Sequence, residues 1–336
     1  MRRIRKRPVV LFIAVACLAL LSCSSGKQWS FSGLFDHQEA QQKALRIAFI
    51  TNMQAGEHWG NMKSGARFSR NMHESMTLEF YAPVNEADSV GQTTLLRQVV
   101  DSQFDAVVIS PSDATYAAST IAQALHRGIK VITVDNDILS ASGRSLAQVH
   151  IGCDDGEIGR QTARTALGLA PNARSVLIVA SLSSSTSMTA KISAITSVLS
   201  RAGRAFKVVF SNADDNLAYR LTRKALADDQ TIDAVIALEE YAAHGAADAL
   251  KELPKTRKVT FIGSGNSRYQ LILLEQHDMD ALVVENAFTM GYLAVEAANA
   301  LCSGRTVAPT MVEYAIVTPE TMWEARNQRL LFPLVN

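Results

Sequence analysis

The sequence has few of the features that mark nucleic-acid binding, metal binding or covalent catalysis. Its 33 Lys and Arg residues nearly balance 32 Asp and Glu residues, so the net charge of +1 gives no basic surface for nucleic acid. The 7 His and 4 Cys residues are scattered, and no pair has the spacing of metal ligands. There is no G-x-S-x-G elbow, no P-loop and no dinucleotide-binding glycine pattern after the first predicted strand. We therefore expect no cofactor and no enzymatic activity.

The N-terminus is the exception to this even distribution of charge. Met1–Arg7 is strongly basic, and Val9–Leu21 is an apolar run too short to span a bilayer as a mature helix. Leu20–Cys23 (LLSC) matches the cleavage site of bacterial lipoprotein signals. The pattern predicts removal of residues 1–22 and acylation of Cys23, which anchors the protein to a membrane of the bacterial cell envelope. An ordinary secretory signal with an incidental Cys23 is the alternative.

The remaining cysteines carry little information. Cys17 lies within the predicted signal, so the mature chain keeps Cys153 and Cys302 besides the acylated residue. These two could form a disulfide in an oxidising compartment, but spacing along the chain does not show whether they are close in space. Residues 24–44, rich in Ser and Gln, are interpreted as a flexible tether between the lipid and the folded body.

From residue 46 onward the sequence alternates between predicted strands and helices. The β-branched run at residues 131–134 is typical of a strand buried on both faces of a parallel sheet. The last elements are predicted to be a strand at 312–317 and a helix opened by Thr318-Pro319-Glu320. The alternation predicts two doubly wound α/β units of about 100–150 residues each, with a cleft between them.

Polar side chains follow many of the predicted strands, at the end where ligands gather in open α/β sheets. Helix capping is the alternative interpretation for Asp113, Ser187, Asp215 and Glu239, and core packing is the alternative for Trp59. The candidate ligand-binding residues are Glu57, His58, Trp59, Asp135, Asn136, Asp215, Glu239 and Glu285.

Several segments resemble, in order, the type I periplasmic sugar-binding proteins of the ribose/galactose family, which serve ABC importers. The similarity covers roughly residues 46–319. It rests on RIAFIT (46–51), FDAVVISPSDATYAASTIAQALHRGIKVITVDND (104–137), QVHIGCDDGEIGRQTA (148–163), FIGSGN (261–266) and ALVVENAFTMGYLAVEAANALCSGRTV (281–307).

The resemblance implies a two-lobed fold that closes around its ligand by hinge motion. It places residues 45–151 and 286–313 in one lobe, and 152–285 and 314–336 in the other. The three hinge crossings would lie near residues 151–153, 285–286 and 312–315.

Individual binding positions of the family match unevenly. Trp59 matches the family's stacking aromatic residue, and Asp135 matches its sugar-binding Asp. Asn136 stands where ribose binders place an Arg, and a second family Arg, near Ile192, is absent. The fold assignment does not depend on these positions. The identity of the ligand does depend on them, so the resemblance does not identify the ligand as ribose, glucose or galactose.

The candidate residues predict the charge of the ligand. Without a matching Arg, five of them are carboxylates that would be buried unpaired on closure, which is costly. We therefore expect a neutral or cationic ligand and not an anionic acid. The leading interpretation is a monomeric, lipid-anchored protein that delivers a sugar or polyol to an ABC importer. The alternative is a sensor subunit that presents a non-sugar ligand, cationic or nucleoside-like, to a histidine kinase or chemoreceptor.

Overall fold

The computed structural model describes residues 44–333, which form two α/β domains. The first half of the described chain contains β1 (Leu45–Ile50), α1 (Glu57–Asn71), β2 (Met76–Tyr81), α2 (Ser89–Asp101), β3 (Ala106–Ile109), α3 (Ala114–His126), β4 (Lys130–Val134), β5 (Val149–Gly152), α4 (Asp155–Leu169) and β6 (Ser175–Ala180). The second half contains α5 (Thr186–Arg201), β7 (Ala205–Phe210), α6 (Asp215–Asp228), β8 (Ile232–Ala237), α7 (Glu240–Lys251), β9 (Thr260–Ser264), α8 (Arg268–Glu275), β10 (Ala281–Glu285), α9 (Ala287–Cys302), β11 (Thr310–Met311), β12 (Tyr314–Val317) and α10 (Ala325–Leu331).

Each domain is built on one six-stranded sheet. The first sheet has the order β11-β5-β4-β3-β1-β2 and is wholly parallel. The second has the order β12-β10-β9-β8-β6-β7, and only β12 runs antiparallel to its neighbour. Every residue of β3 and β6 is buried, as expected for central strands covered by helices on both faces. The predicted fold class is confirmed.

The chain passes between the two sheets at three places, which form the hinge. It crosses after β5, after β10, and between β11 and β12. At the third crossing the N–H of Val312 donates to the Gly152 carbonyl (2.7 Å), and the N–H of Asn286 donates to the Glu313 carbonyl (3.2 Å). The prediction of one strand over residues 312–317 is therefore wrong. The segment contains the crossing, so β11 and β12 belong to different sheets.

The last helix also differs from its prediction. Thr318-Pro319-Glu320 does not open it, because the N–H of Thr318 donates to Thr321 Oγ1 (2.9 Å) within a turn. The helix α10 begins at Ala325, with Glu324 in the capping position.

Cys153 and Cys302 are both free thiols, so the possible disulfide does not form. Cys153 is buried at the first hinge crossing, whereas Cys302 lies at the end of α9. Within residues 44–333, no helix is both long and apolar enough to cross a membrane. The predicted acylation site, Cys23, lies outside the described residues.

Candidate functional site

A cavity lies between the two domains, at the carboxyl ends of the strands of both sheets. It encloses about 780 Å³ of atom-free space, including its opening to solvent. The first domain contributes residues that follow β1, β2 and β4, and the second contributes residues that follow β6, β8, β9 and β10. This is the arrangement in which parallel α/β sheets bind ligands.

Six of the eight predicted site residues line this cavity: His58, Trp59, Asp135, Asn136, Glu239 and Glu285. The structure places the other two, Glu57 and Asp215, outside it. Glu57 is exposed in the first turn of α1, where its N–H donates to Glu240 Oε2 (2.8 Å). Asp215 is exposed at the start of α6 and accepts from the N–H of Asn216 (2.7 Å). Both residues lie in the first turn of a helix with their side chains exposed to solvent.

Trp59 combines the two roles that the sequence left open. Its side chain is 4 % exposed and belongs to the hydrophobic core, yet it also lines the cavity. Its Nε1–H donates to Glu86 Oε1 (3.2 Å), and the ring of His58 packs edge-on against it. Sequence reasoning missed Glu86. The available signal was its position in the polar loop after β2, at the same sheet edge as the other candidates.

Asp135 stands at the end of β4 in an unusual backbone conformation. Its φ is +64°, in the left-handed region that Asp tolerates better than most residues. Its N–H donates to the Ile151 carbonyl (2.9 Å), which fixes the loop, and Oδ1 lies 3.3 Å from His58 Nε2. Burial tends to raise the pKa of Asp135, but the hydrogen bond and positive charge of His58 outweigh it and lower that pKa. Asp135 is therefore an ionised acceptor at neutral pH.

Asn136 connects the two domains. Its Oδ1 accepts from the Oγ–H of Ser185 (2.6 Å) and from the N–H of Ser187 (3.2 Å), both from the second domain. Nearby, Thr186 Oγ1 donates to the Asp137 carbonyl (2.9 Å), and Ser184 Oγ donates to the Ser112 carbonyl (3.0 Å). These contacts hold the domains together, so the structure represents a closed cleft. The bonds from Ser185 and Ser187 also occupy the amide oxygen of Asn136, a residue that was predicted to bind the ligand.

A buried cation, Lys191, corrects the expectation that the candidate carboxylates lack a partner. Its side chain is 8 % exposed, and Nζ lies 2.5 Å from Glu285 Oε1 and 3.3 Å from Asp155 Oδ1. Burial would lower the pKa of Lys191, but the charges of Glu285 and Asp155 raise it, so the ammonium is retained. Lys191 lies on α5 one turn after Ser187 and next to Ile192, near which the family resemblance places an Arg. Sequence alone gave no sign of its burial, since Lys is rarely buried.

Glu239 both caps a helix and lines the cavity. Its carboxyl accepts from the N–H groups of Tyr241 (2.7 Å) and Ala242 (2.5 Å) at the start of α7. Burial, with a further contribution from the negative charge of Glu86, raises the pKa of Glu239 to about 8. Burial, followed by the charge of Asp135, likewise raises the pKa of Glu86 to about 7. These two carboxyls hold a proton in part at neutral pH.

Most of the chain matches the model of one known protein family. Residues 47–306 match the model of the periplasmic binding protein domain, which covers well over half of the chain. The chain belongs to the periplasmic binding protein family.

Several known binding proteins resemble the chain over most of its length. A D-ribose/D-allose-binding protein of Pseudomonas aeruginosa is 22 % identical over 91 % of this chain and 94 % of its own. A solute-binding protein of an ABC transporter from Agrobacterium vitis, solved with bound D-fucose, superposes with a TM-score of 0.80 at 20 % identity, covering 85 % of this chain and 100 % of that one. Another, from Bacillus halodurans with bound myo-inositol, gives a TM-score of 0.75 at 20 % identity and covers 85 % and 98 %. The names of these relatives describe a sugar-binding protein and two solute-binding proteins of ABC transporters, and none names an enzyme.

The raised carboxyl pKa values make the stability of this periplasmic binding protein depend on pH. Between pH 6.5 and 8 the folded chain keeps a proton on Glu239 that an unfolded glutamate has already lost. The folded state therefore binds more protons, so its free energy of unfolding falls as pH rises through this window. Glu86 and His58, whose pKa values are also raised, act in the same direction.

We expect the unfolding free energy of the ligand-free protein to fall by about 1 to 2 kcal/mol between pH 6.5 and 8.5. Urea unfolding at a series of pH values measures this directly. Glu239→Gln keeps an oxygen for the helix cap but cannot ionise, so it should flatten the profile, whereas Glu275→Gln on the exposed face of α8 should not. A profile that rises with pH in this window would contradict the assignment.

Proposed function

We propose that this periplasmic binding protein captures a small polyhydroxylated ligand, a sugar or polyol, in the cavity between its domains and delivers it to an ABC importer. The observation that carries the proposal is the cavity itself, whose polar walls come from the strand ends of both domains. A ligand held there contacts both domains at once, so its binding energy favours the closed form.

The polar groups of the cavity suit a ligand rich in hydroxyls. Each hydroxyl can donate one hydrogen bond and accept others. Ionised Asp135 accepts, whereas Lys191 donates, and the protonated carboxyl of Glu239 can do either. Trp59 adds an apolar wall against the carbon skeleton. The sugars and the polyol named for the relatives have this chemistry, which supports the same class of ligand here.

An anionic ligand fits the cavity poorly. Its lining includes the carboxyls of Glu86, Asp135, Glu239, Glu240 and Glu285, while Lys191 is already paired with two carboxylates. The ligand is therefore neutral or cationic in this proposal, although Lys191 pairs with Glu285, a carboxylate that was expected to be unpaired. A carboxylate or phosphate on the ligand would meet repulsion without a free cation to offset it.

Removing Asp135 or Trp59 should weaken ligand binding strongly. Asp135→Ala removes a charged hydrogen-bond acceptor, for which we expect a loss of about 10- to 100-fold in affinity. Trp59→Ala removes the apolar wall and should lose a similar factor. Isothermal titration calorimetry with the identified sugar measures both. Asp215→Ala is the control, because Asp215 lies outside the cavity and its removal should leave the affinity unchanged.

Binding by Asp135→Ala and Trp59→Ala as tight as that of the parent protein would show that the ligand binds elsewhere. Circular dichroism would establish that both variants are folded. Trp59 also belongs to the core, so its variant needs this check most.

We further propose that Cys23 anchors the protein to the membrane by its acyl chains, as the LLSC pattern indicates. Cys23→Ser should move the protein from the membrane fraction to the soluble extract of the cell envelope. Cys302→Ser, which changes a free thiol in α9, should leave it in the membrane fraction. Retention of the Cys23 variant in membranes, with no acyl group found by mass spectrometry of the parent, would exclude the anchor.

A further inference from the structure

The carboxyls of the cavity fall into two groups that differ in how their charge is balanced. In the first group, Asp135 is paired with His58, while Glu285 is paired with Lys191. The second group consists of Glu86, Glu239 and Glu240, and we refer to it as the acidic cluster. Among residues 44–333, no Lys or Arg lies within 4.0 Å of any carboxyl oxygen of this cluster.

The hydrogen-bond donors to the acidic cluster are dipoles, and the charge of His58 also lowers in part the pKa values of Glu86 and Glu240 that burial raises. Glu86 accepts from the indole N–H of Trp59, and Glu240 accepts from the backbone N–H of Glu57. Glu239 accepts from two N–H groups of the first turn of α7. A helix N-terminus supplies only about half an elementary charge, so protons on Glu86 and Glu239 balance much of the remaining charge at neutral pH, and an arriving cation can replace them.

The cavity beside the acidic cluster is also lined by a side-chain amide, that of Asn52, whose N–H donors have no acceptor among the described residues. Asn52 is 2 % exposed and lines the cavity. Its Oδ1 accepts from Gln92 Nε2 (3.2 Å), but none of the described residues accepts a hydrogen bond from its Nδ2. The described residues leave buried and unpartnered only Arg204 Nε and Thr222 Oγ1, so Asn52 Nδ2 is accessible and can donate to a ligand oxygen in the cavity. The site therefore favours a ligand that has both hydroxyl oxygens and a positive charge.

A metal ion does not meet this need. In the part of the chain that the structure describes, no group of three or more His, Cys, Asp and Glu side chains has an arrangement that could hold one. A primary ammonium group does meet it, because it brings one positive charge and three N–H donors. The aromatic rings of Trp59 and Tyr241 line the same cavity and can add a favourable cation–π contribution.

We infer that the ligand of this cleft is an amino sugar or an amino-substituted polyol whose ammonium group contacts Glu86 and Glu239. The inference rests on the proposed function, because it specifies the ligand of the same cavity. One consequence is a release of protons. Glu239, with its pKa of about 8, holds a proton in the empty cleft, and an arriving ammonium makes the carboxyl ionise. The proton passes to the buffer.

The test is calorimetry on matched ligand pairs at a pH where the amine is charged. D-glucosamine is compared with D-glucose and N-acetyl-D-glucosamine, and D-galactosamine with D-galactose and its N-acetyl form. We expect the amine of one series to bind about 10- to 100-fold tighter than both neutral forms. Its binding enthalpy should change between buffers of different ionisation enthalpy in proportion to the protons released.

The double variant Glu86→Gln/Glu239→Gln should reduce the ratio of amine affinity to neutral affinity to about 1. Glu275→Gln changes an exposed residue at the end of α8, outside the cavity, and should leave the ratio unchanged. Equal or weaker binding of the amines, with the neutral sugars bound, would overturn the inference and leave the proposed function standing. So would equal binding of the amine and its N-acetyl form. Failure of every member of the panel to bind would overturn the proposed function as well.

Discussion

Replacing Lys191 by methionine should lower the free energy of unfolding by about 3 to 5 kcal/mol, because it leaves buried carboxylates without a counter-charge. Lys191 Nζ lies within 3.3 Å of both Asp155 and Glu285, and the three side chains are between 8 % and 17 % exposed. Methionine fills a similar volume and removes only the charge. Urea or guanidinium unfolding of the ligand-free protein at neutral pH measures the loss.

Two further variants show whether charge is the cause. Lys224→Met breaks an exposed pair with Asp228 on α6 and should cost less than about 1 kcal/mol. Lys191→Met combined with Glu285→Gln removes both members of the shorter pair and should recover part of the stability. If Lys191→Met costs no more than the exposed control, Lys191 is not the buried counter-charge described here.

Replacing Gly65 by alanine should lower the free energy of unfolding nearly as much as Lys191→Met does, because the backbones of α1 and α9 are in contact. A Cβ at Gly65 would lie 1.9 Å from the Phe288 carbonyl oxygen, and a Cβ at Gly291 would lie 1.9 Å from the Met62 carbonyl oxygen. Backbone cannot move aside as a side chain can, so the helices must separate. We expect a loss of about 2 to 3 kcal/mol, at the upper end of the cost of overpacking.

Gly60→Ala is the matched control for this prediction, since Gly60 lies on the same helix and a Cβ there would meet nothing within 4 Å. Alanine is a better helix former than glycine, so this variant should be neutral or more stable by about 0.5 to 1 kcal/mol. Thermal unfolding of the two variants side by side separates helix propensity from helix contact. Equal stability of the two would contradict the close approach of α1 and α9.

Much of the fold could be predicted because regular elements leave local patterns. The apolar runs at residues 106–109 and 175–180 are strands buried on both faces, and the alternation with helices specifies parallel sheets. The third hinge crossing could not be read in this way. Residues 312–317 have the composition of a single strand, so the local pattern did not show the crossing at Val312 and Glu313, which the family resemblance placed near residues 312–315.

The candidate site was predictable where a residue lies at or just after the end of a strand, as Asp135, Glu239 and Glu285 do. Lys191 was missed because it lies within a helix, and its burial depends on side chains from α4 and β10. Asn136 shows a different limit. Its position at a strand end predicted a place in the site, but its hydrogen bonds to Ser185 and Ser187 depend on the other domain.

Thermal unfolding in the presence of a ligand panel tests the central claim, that the cleft between the domains binds a small polyhydroxylated ligand. The panel contains sugars, polyols, amino sugars, sugar acids and nucleosides. At 100 times its dissociation constant a ligand adds about 2.7 kcal/mol to the stability of the folded state. The account predicts that a sugar, polyol or amino sugar gives this increase in the parent and not in Trp59→Ala/Asp135→Ala. Stabilisation by a sugar acid or nucleoside alone, or an increase that persists in the double variant, would contradict it.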